Sequence, residues 1–192
     1  MRRRRDLAER MGGPDKVRRQ HEAGRLTVRE RLAALLDEGS FDEIGTLAGT
    51  AVYDRAGELA DFTPANFVIG TGRLNGRKVV VGADDFTIRG GAADAAIAGK
   101  QVYAEQLANQ LRLPLVRLVE GTGGGGSVKM LEQMGHTYVP ANPGWDYVVD
   151  NLSTVPVVTF TDQPGLLIGT RAEQRATRAT WRNRGPLSTP QQ

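Results

Sequence analysis

A chain of 192 residues that is 40% hydrophobic and 24% charged can bury one respectable core, and no run in it approaches the length of a membrane span. With no cysteine it has no disulfide framework and no thiolate metal site, and a formal net charge of +3 is too small to mark a nucleic-acid binder by itself. The basic start MRRRRDLAER is followed by no apolar h-region, so the expectation is a cytoplasmic protein without a secretory leader, a membrane or a nucleic-acid partner.

The charge is unevenly spread. Residues 1 to 31 hold eleven Lys/Arg against five Asp/Glu, and residues 171 to 192 hold five Arg against Glu173, so the middle of the chain is acidic. The basic residues are not interleaved with aromatics, and the plain reading is solvated helix faces at one end and a disordered tail at the other.

In chain order, Asp15 to Ala23 reads as a helix closed by Gly24. Thr27 with Glu30 three residues on makes a capping box ahead of Val28, Leu32, Leu35 and Leu36. Two short amphipathic helices in an α-hairpin are therefore expected over residues 1–40, packed on a neighbour or a partner subunit, with His21 solvated. From Phe41 the pattern changes to short strands. Phe67 to Leu74 and Arg77 to Val81 flank Asn75-Gly76, the dipeptide best suited to a two-residue type I′ hairpin. The second strand, KVVVGADD, is nearly all apolar until two carboxylates, as expected of a strand buried on both faces that ends at a loop.

Phe86 to Gly91 forms a glycine-bearing turn leading into AADAAIAGKQVYAEQLANQLRL, a long helix by the spacing of Ile97, Ala104, Leu107 and Leu111. Its N-terminus can present N–H groups and partial positive charge to an anion. Lys100, placed two to three turns in, reads either as a solvated lysine or as a ligand for such an anion. Next comes the short apolar run Leu115, Val116, Leu118 and Val119, ending at Glu120 and opening into Gly121 and Gly123 to Gly126. Strand, glycine loop and helix follow one another, and glycines this dense let backbone N–H groups approach a ligand with no Cβ in the way.

Two phosphate-loop patterns compete for this stretch. Gly121, Gly123 and Gly126 satisfy G-x-G-x-x-G, with Asp146 as the ribose-binding acid, but five glycines satisfy almost any such template and Asp146 sits in a loop. The Walker pattern fails, because Gly126 is followed by Ser127, Val128 and Lys129. Further on, WDYVVDNL reads as a helix and Val155 to Phe160 as a strand. Laid on the earlier strand, Pro156 falls on Pro114, Val157, Val158 and Phe160 on Leu115, Val116 and Leu118, Asp162 on Glu120, and Gly165 on Gly123. This internal echo implies right-handed ββα crossovers stacked as a spiral, an α/β architecture.

The segments GPDKVRRQHEAGRLTVRERLAALLDEGSFDEIG, FVIGTGRLNGRKVVVGADDFTIRGGAADAAIAGKQ and LVEGTGGGGSVKMLEQMG, in this order, resemble the carboxyltransferase (beta) subunit of biotin-dependent acyl-CoA carboxylases. The resemblance covers roughly residues 11 to 158. It implies a crotonase-like ββα superhelix at 41–158 behind the helical hairpin, with acyl-CoA along the carboxyl edge of the sheet. It also implies like subunits, and a biotin carboxylase and carboxyl carrier that supply carboxybiotin, with CO2 passing to the α-carbon of the acyl-CoA. Backbone oxyanion holes and no metal are expected to do this chemistry. Phe86, Thr87, Gly90, Gly91 and Ala92 match the family's turn and would line the CoA side, with Lys100 toward a phosphate and Gly123, Gly124 and Gly125 in the second loop. Residues 159–176 resemble a piece of the family's C-terminal half, and 177–192 depart from it. The implied protein is a shortened carboxyltransferase with impaired catalysis, its own catalytic residues unassigned because neither oxyanion turn is recognisable. The alternatives are a non-catalytic CoA-binding or assembly module, docking through the basic helices, and a Rossmann-like nucleotide binder.

Overall fold

The computed structural model describes residues 1–92, 97–120, 132–136 and 144–161. Helices α1 (Arg2–Glu9), α2 (Pro14–Glu22) and α3 (Val28–Leu35) precede strands β1 (Asp42–Ile44), β2 (Gly49–Tyr53), β3 (Leu59–Pro64), β4 (Phe67–Leu74) and β5 (Arg77–Asp84). A turn at Arg89–Gly91, helix α4 (Ala98–Leu111), strand β6 (Leu115–Val119), helix α5 (Trp145–Thr154) and strand β7 (Val157–Thr161) follow. The main sheet runs β1-β4-β5-β6-β7, and β2 pairs only with β3. β4 is antiparallel to both of its neighbours, β1 and β5, while β5, β6 and β7 are parallel.

The β4–β5 hairpin forms where the Asn-Gly pair puts it. Asn75 and Gly76 have φ of 52° and 78°, the left-handed pair of a type I′ turn. The Asp37 carboxylate, just past α3, accepts both turn amides, at 2.8 Å from Asn75 N and 2.7 Å from Gly76 N. The internal echo is the ladder itself, since Leu115 pairs with Val157, Val116 with Val158 and Leu118 with Phe160.

Alternation along β5 divides the core between two faces. Val79, Val81 and Ala83 join Val116 and Leu118 under Val28, Leu32 and Leu36 of the α3 region. Val80, Leu115 and Val157 join Leu107 and Ala108 of α4 and Val155 on the other side. The helical hairpin therefore covers one face of the chain's own sheet. The capping box at Thr27 is present, with Glu30 accepting from the Thr27 amide at 2.7 Å. His21, half exposed, is also engaged, with Nε2 3.0 Å from both Glu30 oxygens. This contact and the Thr27 bonds hold the Glu30 carboxyl down at about 2.

Two elements differ from expectation. Helix α1 was not anticipated, because RRRRDLAE has no apolar stripe. It is held by the buried Ala8 and by the Arg4 guanidinium 4.5 Å over the Phe62 ring. Lys100 stands in the first turn of α4 as described, and it is buried rather than solvated. The tail, the loop 121–126 and the residues of the proposed junction beyond Thr161 lie outside the described residues.

Candidate functional site

Parallel strands present their carboxyl ends on one rim, and the loops leaving those ends are where α/β proteins place ligands. Here β5 ends at Asp84 and β6 at Val119, one step beyond the paired Ala83 and Leu118. The predicted residues Phe86, Thr87, Gly90, Gly91 and Ala92 all fall in the single turn that leaves β5. Arg89, Gly90 and Gly91 take φ of 51°, 63° and 66°, three successive left-handed residues, which only glycine adopts without strain. Gly91 N–H donates to Ile88 O at 3.2 Å and Ala92 N–H to Arg89 O at 3.3 Å, while Gly90 N–H has no acceptor among the described residues. Together with the Ile88 amide, which donates to Asp85 O at 3.2 Å, these bonds hold the shape of the turn.

The turn is fastened from several sides. Asp85, 2% exposed, accepts from Thr87 N at 2.9 Å and from the Thr87 hydroxyl. Asn66, at the β3–β4 connection, accepts the Asp85 amide at 2.9 Å and donates its side-chain amide to Ala92 O at 2.8 Å. Gly12, between α1 and α2, donates its N–H to Thr87 Oγ1 at 2.9 Å, and the Arg25 guanidinium lies 5.6 Å from the Phe86 ring centre. A Cβ on Gly12 would stand 2.1 Å from Thr87 O. Gly12→Ala is therefore expected to lower stability by about 1–3 kcal/mol, read as a lower urea midpoint at unchanged m-value.

Beside the turn lies a buried polar cluster. Glu120 is 1% exposed, and its carboxylate accepts from the Gln20 side-chain amide of α2 and from Arg31 of α3 at 3.0 Å, with Arg25 at 4.0 Å. Its own N–H donates to Asp84 Oδ2 at 3.0 Å. Burial pushes the Asp84 carboxyl up to about 6; the Glu120 amide and Arg31 oppose the shift, and the Glu120 charge adds to it. Burial likewise raises Asp85, against the Thr87 bonds and more distant Arg29 and Lys16.

Lys100 is buried. It lines a cavity of about 10 Å³, room for one water, together with Met11, Arg29, Glu43, Thr46 and Asp85. Burial lowers its pKa, with Glu43 opposing and Arg29 adding to the effect. Gly123, Gly124 and Gly125 fall outside the described residues. Asp146, the acid of the dinucleotide pattern, sits exposed in the first turn of α5 rather than at the end of a strand. Among the described residues no group of three His, Asp or Glu is placed to hold a metal ion, and no helix is long and apolar enough to cross a membrane.

The residues that the sequence reading missed are Gln20 and Arg31. Arg31 carries a signal, since it lies three residues after Val28 and four before Leu35, on the helix's apolar stripe, where a solvated arginine does not belong.

Residues 19–140 match the carboxyl transferase domain. The chain is 38% identical over 122 residues to the propionyl-CoA carboxylase beta chain of Cereibacter sphaeroides, covering 62% of this chain and 24% of that one. It is 34% identical over 112 residues to methylmalonyl-CoA decarboxylase subunit alpha of Veillonella parvula, covering 58% and 22%. It thus spans about a quarter of the length of these relatives. The solved hexameric transcarboxylase 12S, with methylmalonyl-CoA and methylmalonic acid bound, superposes with a TM-score of 0.61 at 26% identity, over 82% of this chain and 30% of that one. The α/β fold is accordingly the crotonase-like one that the resemblance implied, and over its matched residues this chain belongs to the carboxyl transferase family.

Proposed function

We propose that this chain supplies the acyl-CoA face of a biotin-dependent carboxyltransferase, in which CO2 from carboxybiotin is transferred to the α-carbon of an acyl-CoA. The observation that carries the reading is the left-handed Arg89–Gly91 turn at the carboxyl end of β5, inside the segment matching the family. The turn presents the Gly90 N–H with no acceptor among the described residues, beside small residues that let a thioester approach. A fixed amide dipole suits this chemistry, because negative charge develops on the thioester oxygen as the α-carbon becomes enolate-like. Phe86, Thr87, Gly91 and Ala92 would shape the groove, and Gly123, Gly124 and Gly125 are proposed to complete it from the neighbouring strand. Lys100, buried beneath the turn, would contribute positive potential to the CoA phosphates rather than touch them. The carboxybiotin half of the reaction would fall to other residues or to further chains: a biotin carboxylase, a carboxyl carrier and like subunits.

Binding and turnover separate in this proposal. Calorimetric titration of the purified chain with acetyl-, propionyl- and methylmalonyl-CoA is expected to show saturable binding. The chain mixed with biotin carboxylase and biotinylated carrier is expected to form little or no malonyl- or methylmalonyl-CoA. Robust product formation would overturn the impaired-catalysis reading. NAD or ATP binding without acyl-CoA binding would replace the whole proposal with the nucleotide-binding one. An assembly role through α2 and α3 is less well supported, since Gln20, Val28 and Leu32 are buried against the chain's own sheet.

A further inference from the structure

Glu120 is an expensive residue to keep. A carboxylate buried at the end of a strand is stabilising only if each lone pair is met, and an apolar side chain of similar volume does as well or better. Its presence calls for a use other than stability. The Gln20 and Arg31 donors that hold it come from helices far away in sequence, at separations of 100 and 89 positions. A continuous path of bonds then runs toward the turn. Glu120 N–H donates to Asp84 Oδ2, the next residue, Asp85, donates its amide to Asn66 O, and the Asp85 carboxylate holds Thr87. Gly12 grips the same Thr87 from the helical side at 2.9 Å. The N-terminal segment therefore holds the rim at two points, one on each strand end.

We infer that Gln20 and Arg31 are positioning residues for the acyl-CoA rim. Acting through Glu120, they fix the carboxyl end of β6 against that of β5 and so set the place of the Asp85–Ala92 turn. The inference rests on the acyl-CoA reading of that rim. Neither residue touches the turn, so neither is catalytic.

The deciding variant is Gln20→Met, which removes the donor and roughly keeps the volume. Propionyl-CoA affinity is expected to fall roughly tenfold, the size of one lost hydrogen bond to a charged group. Arg31→Lys, which keeps the charge but not the fork, is expected to retain more of the affinity than Gln20→Met. Val155→Ala, in the other core cluster, serves as the stability control and is expected to lower the urea midpoint with the affinity unchanged. A Gln20→Met protein that folds and binds like the wild type overturns the inference, as does a control that loses affinity in step with stability. Amide exchange gives a reading that needs no ligand. Gln20→Met is expected to speed exchange at Asp84 to Ala92 while α4 keeps its protection. If the wild type binds no acyl-CoA, the reading of the rim fails, and exchange alone decides: unchanged protection across 84–92 refutes the positioning role.

Discussion

Arg31→Met is expected to lower the stability of the chain by about 3–5 kcal/mol, the range for a buried charge that loses its partner. Arg31 is itself 9% exposed at the side chain and stands 3.0 Å from Glu120, whose side chain is 1% exposed. Methionine fills much of the space but takes the Arg31 charge away from a carboxylate in a low-dielectric site, where the Gln20 amide and the more distant Arg25 remain near it. The loss acts twice, because Arg31 also helps Asp84 to ionise, and without it the neighbouring carboxyl titrates at still higher pH. Urea unfolding of the variant and of Glu120→Gln/Arg31→Met checks the assignment. The double variant removes both charges and is expected to recover a large part of the loss. Equal losses in both would show that packing, not the stranded charge, carries the effect.

Asp84→Asn is expected to stabilise the chain by about 3 kcal/mol near pH 8, from a shift of roughly two pH units at 1.36 kcal/mol each. The sign follows from the direction of the shift. The folded-state pKa is raised from 3.8 to about 6, so the native state resists giving up this proton. Well below the unfolded value of 3.8 the carboxyl is neutral in both states and the penalty is absent; it grows as pH rises from there to about 6 and levels off above. Asparagine keeps an oxygen for the Glu120 amide and carries no charge at any pH. The difference in unfolding free energy between variant and wild type should therefore be small at pH 4, vanish below it, and reach its plateau above about pH 7. A difference that is flat from pH 4 to 8 would contradict the burial of an ionised Asp84. A residue that destabilises its own fold at working pH marks a site where function outweighs stability.

How much of this was legible differs element by element. The β4–β5 hairpin was readable because Asn75-Gly76 is a local signal, satisfied by two backbone angles. The β6–β7 register was readable because both strands occupy equivalent places in a repeated unit, so the same apolar alternation recurs and Leu115 meets Val157. The glycine turn after β5 was found from composition alone. The use of its amides was not, because whether Gly91 N–H faces a ligand or Ile88 O depends on left-handed angles that no spacing announces. The burial of Lys100 was not legible for a related reason: helical spacing gives a face, and only tertiary packing says that the face of α4 near Gly45 is closed over. Gln20 and Arg31 were passed over as part of a basic, solvated helix pair. A run of charge hid the two polar side chains that point inward, toward a single acid about a hundred residues on.

The grip of Asp37 on the Asn75 and Gly76 amides bears on the order in which the chain assembles. A hairpin with its turn already left-handed closes in roughly 1–10 µs, and Asp37 brings the end of α3 onto it, so Leu36 can reach the same sheet face as Val79 at once. The parallel ladders come at greater entropic cost, because Val80 must find Leu115, and Leu115 must find Val157, across whole intervening helices. The two antiparallel strands and their helix are thus expected to form the nucleus on which the later strands condense. The rim where β5 meets β6, proposed above for acyl-CoA, is then expected to be among the last parts to acquire its native shape.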